Sequence, residues 1–588
     1  MEKNFNTIIE KQINISIDKM LEKYDYDTCM VSRYIQPRKK GEVSSQHCIS
    51  GKVHYIVTSS ELACAIYRGK REELYELAEN TLKKVVSLQD TREGSETYGM
   101  WAYYLEESLD NMLNPDPNMA DFNARLFVYI LKKCQDCLSD EMVKILKKAV
   151  RRAAECSIRR NVSPDYTNIS LMSLNTIINC AEICGDCELL EKGRERIRKA
   201  YEYNNISKCF SEFNSPCYTP LALEELGRMM DLFEDEECRA LAEKLNYIGW
   251  EMVLRQYDID MRLSAPPYVR TYYAIHSSLY DELIYLGTHG MYGKIGETYE
   301  GFSSTLNSGC VIPEELVEKY IVNKIKKPVF YEDFYYKKNN LRLPEEDNTI
   351  IRNIASPSLR YFTYIADCYA MGAFEKSDLW AQRGTGMIVW GDDEHRTAMR
   401  TYCISDKHSY SSGMVYTNQL NNVMLCHTGF ATDHGDVHYI LDTDKNGILT
   451  TERLLFAFKF EGDCKNLRVA KEKTKFKIVD KDITIYINIC QALFDGEKMD
   501  IRYNEKEKQI EAICFDTEKT VNFNEVKKPT YMIYTVSVNR EANVPKTEIS
   551  DNIVKSVLEV DEKVLTLSSH VLPIEYDVAI DTVKTEKR

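Results

Sequence analysis

The apolar residues of this chain change their spacing near residue 326, and that change limits the folds available to it. Before this point, apolar side chains recur at i, i+3, i+4 and i+7, the period of an amphipathic helix. After residue 350, short segments rich in β-branched and aromatic residues alternate along the chain, as strands do. The sequence therefore predicts a multidomain α+β protein with helices and strands in separate halves. It disfavours Rossmann folds and TIM barrels, in which the two alternate.

The first half, residues 1–325, is predicted to consist of helical hairpins. Ser139 lies where a helix cap is expected, and Pro220 lies where a first turn tolerates proline. A solenoid should show a repeat, and none is visible, so we expect an α/α toroid, with a solenoid or an irregular bundle as alternatives. The predicted helices are 4–24, 60–88, 120–135, 139–160, 167–184, 187–202, 219–231, 234–257, 271–288 and 313–325.

The second half is predicted to be an antiparallel β-sandwich over residues 351–588, after a linker at 326–350. The linker prediction rests on a charged, aromatic stretch with two prolines. Turn residues separate the later apolar runs at strand-like intervals. The clearest predicted strands are 386–390, 422–426, 454–460, 475–479 and 483–489.

Composition limits the classes of partner and compartment. The net charge of −15, without a basic stripe, argues against nucleic acid. The sequence contains no apolar run of about 18 residues, so it predicts no membrane-spanning helix. The amino terminus lacks the apolar core of a signal peptide, and we therefore expect a cytoplasmic protein without membrane contact. The 19 cysteines are odd in number, and we expect nearly all to be reduced core residues, including Cys180, Cys184 and Cys187. No cofactor is predicted, and a homo-oligomer is left open.

Two polar segments at predicted helix starts supply the first site candidates. The loop 210–220 contains Glu212, Asn214 and Tyr218, which could line a substrate cleft between helices or could be ordinary helix-entry chemistry. The segment 165–169 contains Asn168, which could hydrogen-bond a substrate carboxylate or simply cap a helix. The 39 tyrosines and four tryptophans suit aromatic-lined sugar sites, although compositional bias explains the tyrosines too. Trp101 is included as a further substrate-binding candidate.

A third segment, 264–276, combines tyrosines with a cation. Tyr268, Arg270 and Tyr272 follow Pro266-Pro267, and His276 comes one turn later. A phenol beside a guanidinium suits proton abstraction, because a nearby cation favours the phenolate.

A fourth segment, 430–438, holds two of the ten histidines together with two aspartates. With His427 nearby, a metal site is conceivable around His434 and His438, but the spacing matches no strong zinc pattern, and no metal is predicted. His438 could instead be a catalytic base, or the segment could be a polar loop. Two further patterns are set aside. The run 442–447 lacks the glutamate of an EF-hand, and the pairs Cys134/Cys137 and Cys184/Cys187 lack a zinc-ribbon context.

These segments together resemble a group of α/α-toroid proteins with a β-sandwich tail, similar to heparinase II/III-like and chondroitin/hyaluronate-type polysaccharide lyases. The resemblance spans roughly residues 160–445. The motifs that carry it are Tyr166-Thr-Asn-Ile169, Glu212-x-Asn-Ser-Pro-x-Tyr218, Pro267-Tyr-x-Arg-x-Tyr272, Leu379-Trp-Ala-Gln-Arg383 with Val389-Trp390, and Gly435-Asp-Val-His438 with Asp442.

The resemblance implies β-elimination on an oligosaccharide that contains uronic acid. Asn168 or Asn214, with Arg270, would neutralise the sugar carboxylate. Tyr218, Tyr268 or Tyr272 would transfer protons, and the sandwich would supply His438. Glu212 and His276 would bind substrate. The chain departs from the usual order of Asn, His and Tyr within the toroid, because His276 follows the tyrosines.

Two alternatives from other classes stay open. A toroid glycoside hydrolase needs two carboxylates about 5–5.5 Å apart if it retains configuration, or roughly 6.5–9.5 Å if it inverts. Glu212 and Asp165 are its candidates. A non-catalytic glycan-binding or scaffold protein would instead have Tyr268, Arg270 and Tyr272 in a packed interior.

Overall fold

A computed structural model describes most of the chain and divides it into two compact units. The described residues are 2–36, 49–112, 114–275, 279–295, 310–336, 358–392, 394–406, 408–433 and 446–587. The first unit comprises Met1–Glu212, Tyr218–Glu251 and Ser278–Val317, and the second comprises Phe213–Cys217, Met252–Ser277 and Glu318–Arg588. Three segments of the predicted helical half, 213–217, 252–277 and 318–325, therefore belong to the second unit.

The first unit is an α/α toroid of helical hairpins. Its inner helices α2, α4, α6 and α8 pack side by side, and α3, α5 and α7 each pack against the preceding inner helix. Its helices are α1 (Glu2–Leu21), α2 (Ile56–Arg68), α3 (Tyr75–Ser87), α4 (Asn118–Lys133), α5 (Asp140–Arg160), α6 (Thr167–Cys184), α7 (Cys187–Ser207), α8 (Thr219–Leu232), α9 (Glu236–Gln256) and α10 (Leu279–Gly287). A small sheet of Tyr24–Asp25, Met30–Ile35 and Gly51–His54 precedes α2.

Burial follows the apolar pattern of each helix. The first fifteen residues of α6 are all buried, as expected of an inner helix. The outer helix α7 buries one stripe at spacings of three and four, Leu189, Gly193, Ile197, Ala200 and Asn204. Gly193 permits close packing on α6, since a Cβ there would lie 2.6 Å from the Ile178 side chain.

The helix ends confirm some start signals and correct others. Ser139 caps α5 through a hydrogen bond from the Met142 amide, 3.2 Å, and Pro220 lies in the first turn of α8. Residues 60–88 are two helices, because Gly69 ends α2 and Lys70 adopts a left-handed φ of 52°. In the helix predicted at 271–288, residues 271–275 are not helical, and α10 is described from Leu279.

The second unit contains two large antiparallel sheets that pack as a sandwich around a shared core. Among the described residues, one sheet has nine strands, ordered Asp500–Asn504, Gln509–Phe515, Leu454–Gly462, Thr397–Ser405 (also paired with His408–Ser409), Met387–Trp390, Tyr369–Phe374, Ser358–Ile365 and Val329–Tyr336. The other has eight, ordered Lys376–Asp378, Gly413–Leu420, Val423–Phe430, Tyr531–Val538, Ile483–Phe494 (also paired with Glu497–Lys498), Lys475–Asp480 and Arg468–Glu472.

A third sheet, of Lys546–Ser550, Ile553–Val560, Lys563–His570 and Lys584–Lys587, packs on the sandwich together with the helix Tyr576–Thr582. All five predicted strands are confirmed with small shifts of their ends. The predicted linker is wrong at its beginning, because Val329–Tyr336 pairs with Ser358–Ile365 as an edge strand. Residues 337–350 lie outside the described chain. Within the part of the chain that is described, no helix is long and apolar enough to cross a bilayer.

Candidate active site

Ion pairs show that three inner helices run parallel. At the carboxyl end of α4, Lys132 donates to the Leu232 carbonyl at the end of α8, 2.8 Å, and pairs with Glu182 at the end of α6. Halfway along, Glu225 of α8 accepts from Arg125 of α4 and from Asn175 of α6, both at 2.8 Å. The amino ends of α4, α6 and α8 therefore lie together at the opposite end of the bundle.

These amino ends attract negative charge. Amide groups in the first turn of a helix have no partner within the helix, and the helix dipole adds a partial positive charge there. Neither α6 nor α8 has an acidic residue in its first turn, and neither Tyr166 nor Tyr218, the cap residues, makes a side-chain cap bond. Parallel helices bring these ends together, and the end of α6 already meets a carboxylate, because Glu212 accepts from the Asn168 backbone amide.

The Asn168–Glu212 pair lies at the start of α6. Glu212 accepts hydrogen bonds from the Asn168 backbone amide at 2.8 Å and from the Asn168 side-chain Nδ2 at 2.7 and 2.8 Å. Both residues are buried, at 0% and 3% exposure for Asn168 and Glu212. Since a carboxylate only accepts hydrogen bonds, Nδ2 must face Glu212 and Oδ1 must face away. Asn168 is not a helix cap, because Tyr166 occupies that position.

Two buried oxygens in this first turn lack a hydrogen-bond partner among the described residues. They are Asn168 Oδ1 and the hydroxyl Oγ1 of Thr167. Buried polar atoms are nearly always satisfied by protein, water or ligand, and leaving one unsatisfied costs about 1–3 kcal/mol. Both atoms can accept a hydrogen bond, and Thr167 can also donate one. This pair of oxygens is the strongest local sign of a ligand site.

Tyr218 is the tyrosine candidate that belongs to the same unit as this pair. It is half-buried and immediately precedes α8. The Thr219 hydroxyl donates to the Glu212 carbonyl at 3.1 Å, which ties the start of α8 to the residue that holds Asn168. The nearby Tyr203 donates to or accepts from Ser211 at 2.8 Å, and burial raises its pKa above the usual range.

Below the amino ends, the inner helices enclose a charged network that the sequence did not reveal. Arg125, Glu225 and Arg228 are each at most 3% exposed, and Glu225 pairs with both arginines. Burial alone would raise the pKa of Glu225, whereas Arg228 and Arg125 together hold it below its usual value. The sequence signal that could have revealed this network is the presence of charged residues within otherwise apolar helical runs.

Glu61 of α2 lies beside this network and has an altered acidity. The pKa of Glu61 is raised to about 7, chiefly by burial and also by Glu224, while Arg125 and Arg228 oppose the shift. A carboxyl group with such a pKa is partly protonated near neutrality, as a general acid requires.

Four other candidates, Asn214, Tyr268, Arg270 and Tyr272, lie in the second unit. The side chains of Asn214 and Tyr268 make hydrogen bonds that stabilise the local fold. The Asn214 amide donates to the carbonyls of Ala265 and Pro267 at 2.7 and 3.2 Å and accepts from Ser264 at 2.6 Å. Tyr268 is 1% exposed, packs in an apolar cluster and donates its hydroxyl to the Ser264 carbonyl. In this structure both hold the loop together and have no surface for a sugar.

Arg270 and Tyr272 differ from Tyr268. Both are half-buried, and the Arg270 backbone has a left-handed φ of 57° with its carbonyl accepting from the Ser215 hydroxyl at 2.8 Å. The non-catalytic hypothesis placed all three side chains in a packed interior, and only Tyr268 is there. The roles proposed for Arg270 and Tyr272 stay predictions.

The remaining candidates separate into core and undescribed residues. Trp101 is fully buried, and its indole donates to the Val85 carbonyl at 2.8 Å, so it is a core residue and not a sugar platform. His427 is buried between two serine hydroxyls, which removes it from any metal site. His276, His434 and His438 lie outside the described residues, and so do Gly435 and Asp442 of the motifs above. In the described ranges, no cluster of three histidine, cysteine or acidic residues could hold a metal ion.

The cysteine prediction is wrong at the junction of α6 and α7. Cys180 is buried, as expected, but Cys184 and Cys187 are exposed. The period of α6 suggested a buried position for Cys184, but this residue is the last of the helix, where the chain reaches the surface.

Comparison with known proteins finds similar structures whose sequence identity to this chain is low. A family model described as a domain of unknown function, DUF8769, matches residues 48–300. No curated protein matches the chain. Among solved structures, heparinase III is similar at 9% identity over 87% of this chain and 82% of that chain, with a TM-score of 0.45. Chondroitin AC lyase of Streptomyces coelicolor A3, solved with chondroitin sulphate, is similar at 7% identity over 96% and 89%, with a TM-score of 0.46. These scores carry no argument about the chemistry of this chain.

Proposed function

We propose that the chain is a carbohydrate lyase that cleaves uronic-acid-containing oligosaccharides by β-elimination at the amino ends of α6 and α8. The observation that carries the proposal is the buried Asn168–Glu212 pair with two unsatisfied oxygens in the first turn of α6. The start of α8, which the half-buried Tyr218 precedes, is bonded to Glu212 through Thr219. The proposal keeps the cytoplasmic location expected from the sequence, which implies a small oligosaccharide as substrate.

The site suits the carboxyl group of a uronic acid. The Glu212 carboxylate lies at the amino end of α6, and this negative charge disfavours a second anion there and favours the protonated form of a sugar carboxyl. Because Glu212 holds the Asn168 amide nitrogen, the free Oδ1 can accept a hydrogen bond from a protonated sugar carboxyl. A neutral carboxyl makes the adjacent C5 proton more acidic, since the carbanion formed then carries one negative charge fewer. Glu212 acts here as a positioning residue.

The proposed reaction needs proton transfer but no water. The C5–H bond breaks, its electron pair forms a C4=C5 double bond, and the C4–O bond breaks. The C5 proton goes to the base, and the leaving oxygen takes a proton from the acid. We assign Tyr218 to proton transfer, because it is half-buried and adjoins Thr219, whose hydroxyl bonds the Glu212 carbonyl. His438 stays a prediction as a second base.

Near-ultraviolet absorbance tests the proposal directly, because the unsaturated uronide absorbs there and the substrate does not. The purified chain is incubated with a panel of uronic-acid oligosaccharides, together with Tyr218→Phe and Asn168→Leu. Tyr273→Phe is the matched control, since Tyr273 is 67% exposed. We expect a rise that both site variants abolish and the control retains. A rise that survives in Tyr218→Phe would refute the assigned role.

A glycoside hydrolase is the second candidate, and Glu61 is the observation that favours it. A carboxyl with a pKa of about 7 beside a second carboxylate, Glu224, resembles an acid and base pair. The pair suggested by the sequence, Glu212 and Asp165, is less suitable, because Glu212 is bound to Asn168 and Asp165 accepts from Ser163. Release of reducing ends without the absorbance rise, lost in Glu61→Gln, would establish the hydrolase.

A further inference from the structure

We propose that Cys184 and Cys187 form a reversible dithiol–disulfide couple at the surface of the first unit, oxidised by peroxide. The two thiols end one helix and begin the next: Cys184 is the last residue of α6 and Cys187 the first of α7. Gly185, with φ 66°, makes the turn between them. Both are exposed, unlike Cys180 one turn earlier in α6.

The two cysteines have the Cys-x-x-Cys spacing that redox-active proteins use, with a tight turn between them. Gly185 donates to the Glu182 carbonyl at 3.3 Å and Asp186 donates to the Ala181 carbonyl at 2.9 Å, so the chain reverses tightly. The Asp186 side chain then caps α7 by accepting from Leu189 at 3.0 Å. This fixed turn holds the two thiols three residues apart at the surface, where an oxidant reaches them.

The charges around Cys184 favour its thiolate. The pKa of Cys184 is lowered to about 6, chiefly by a hydrogen bond from the Cys180 thiol and also by the cations Arg151 and Lys147, while partial burial and Asp186 oppose the shift. Arg151 is held in place by Asp186 and by Glu155, the latter at 2.9 Å. Since the thiolate is the reactive form, Cys184 is the attacking group and Cys187 the resolving one.

The chemistry balances with peroxide as the oxidant. The Cys184 thiolate attacks one peroxide oxygen, an S–O bond forms, the O–O bond breaks, and the leaving hydroxide takes a proton to become water. The Cys187 thiol then attacks the sulfenic sulfur, the S–S bond forms, and a second water leaves with the thiol proton. Two thiols and one hydrogen peroxide give one disulfide and two waters. A dithiol reductant reverses the oxidation.

The test uses the full reduced chain and needs no variant for its first arm. Iodoacetamide alkylation is followed by peptide mass spectrometry between pH 5 and pH 9, with Cys29, a half-buried thiol, as internal reference. We expect Cys184 to react fastest, with a midpoint near pH 6. Alkylation of Cys184 at the rate and midpoint of Cys29 would overturn the proposal.

The second arm follows hydrogen peroxide treatment. The unchanged chain should yield a peptide disulfide between Cys184 and Cys187. Cys187→Ser should instead accumulate a sulfenic acid at Cys184 that dimedone traps, and Cys184→Ser should do neither. Cys180→Ala, which removes the donor, should raise the alkylation midpoint of Cys184. No disulfide in the unchanged chain, or trapping of Cys187 instead of Cys184, would refute the assignment.

Discussion

Protonation of His427 should weaken the second unit in acid. This residue of strand Val423–Phe430 is 0% exposed, and its ring nitrogens bond the hydroxyls of Ser569 and Ser556 at 2.8 and 2.7 Å. Those serines belong to the third sheet, so the neutral ring joins that sheet to the sandwich. Burial lowers the pKa of His427 to about 3, from an ordinary value of 6.5.

The sign and size of the effect follow from this shift. Between pH 6.5 and 3 the unfolded chain binds a proton at His427 that the folded chain does not, so stability falls as pH falls. The cost is about 1.4 kcal/mol per pH unit, or about 2 kcal/mol at pH 5. Substitution His427→Gln keeps a donor and an acceptor for the serines but removes the titration.

Hydrogen exchange of strand Val423–Phe430 and the thermal midpoint measure the effect at pH 8 and pH 5. Because other groups titrate in this range, the difference between the unchanged chain and His427→Gln isolates His427. We expect the variant to lose less stability on acidification, by about 2 kcal/mol, or several degrees in midpoint. Parallel losses in both proteins would refute the reasoning about this buried histidine.

Three further predictions concern the first unit. Glu225→Ala should lower the free energy of unfolding by about 3–5 kcal/mol, because it leaves Arg125 and Arg228 buried without a counter-charge. The thermal midpoint should fall accordingly, whereas the control Glu188→Ala, at an exposed site, should leave it unchanged. Because the pKa of Glu61 is raised, the folded chain loses stability as pH rises from about 4.5 to about 7. At pH 8, Glu61→Gln should therefore be more stable than the unchanged chain by about 1–3 kcal/mol, measured by denaturant unfolding. A variant with no gain in stability would contradict the raised pKa. Glu212→Gln offers Asn168 only one accepting oxygen, which weakens the hydrogen bonds that orient Asn168 by about 1–3 kcal/mol. The turnover number should therefore fall about 10- to 100-fold. An unchanged turnover number would show that Glu212 does not position Asn168.

Local patterns predicted the long elements well. Helix α6 has the predicted bounds, because its apolar run is long and Gly185 marks its end. The break after α2 was missed, since residues 60–88 consist mostly of good helix formers and a single glycine is tolerated within a helix. Tyr268–Val269 pairs with Arg383–Gly384, more than a hundred residues later, and no local spacing could reveal that pairing.

The sequence indicated which residue types a site needs, but it did not indicate the burial or the contacts of the individual candidate residues. Asn168 and Glu212 meet as a pair although 44 residues separate them, and no local spacing could reveal that. Tyr268 was chosen for its neighbours in sequence, but distant sheet residues such as Met387 and Val389 determine its burial. Arg125 and Glu225 were missed because their pairing depends on helices α4 and α8 packing around α6.

The mass balance of the products tests the central proposal most directly. A uronic-acid oligosaccharide is digested in water enriched in oxygen-18, and both products are weighed by mass spectrometry, with Tyr218→Phe in parallel. The account predicts product masses that sum to the substrate mass, with no more oxygen-18 than a reducing sugar exchanges in the same water without enzyme, and no cleavage by Tyr218→Phe. Products that together exceed the substrate by the mass of one water, and that carry oxygen-18, would contradict the lyase and identify a hydrolase.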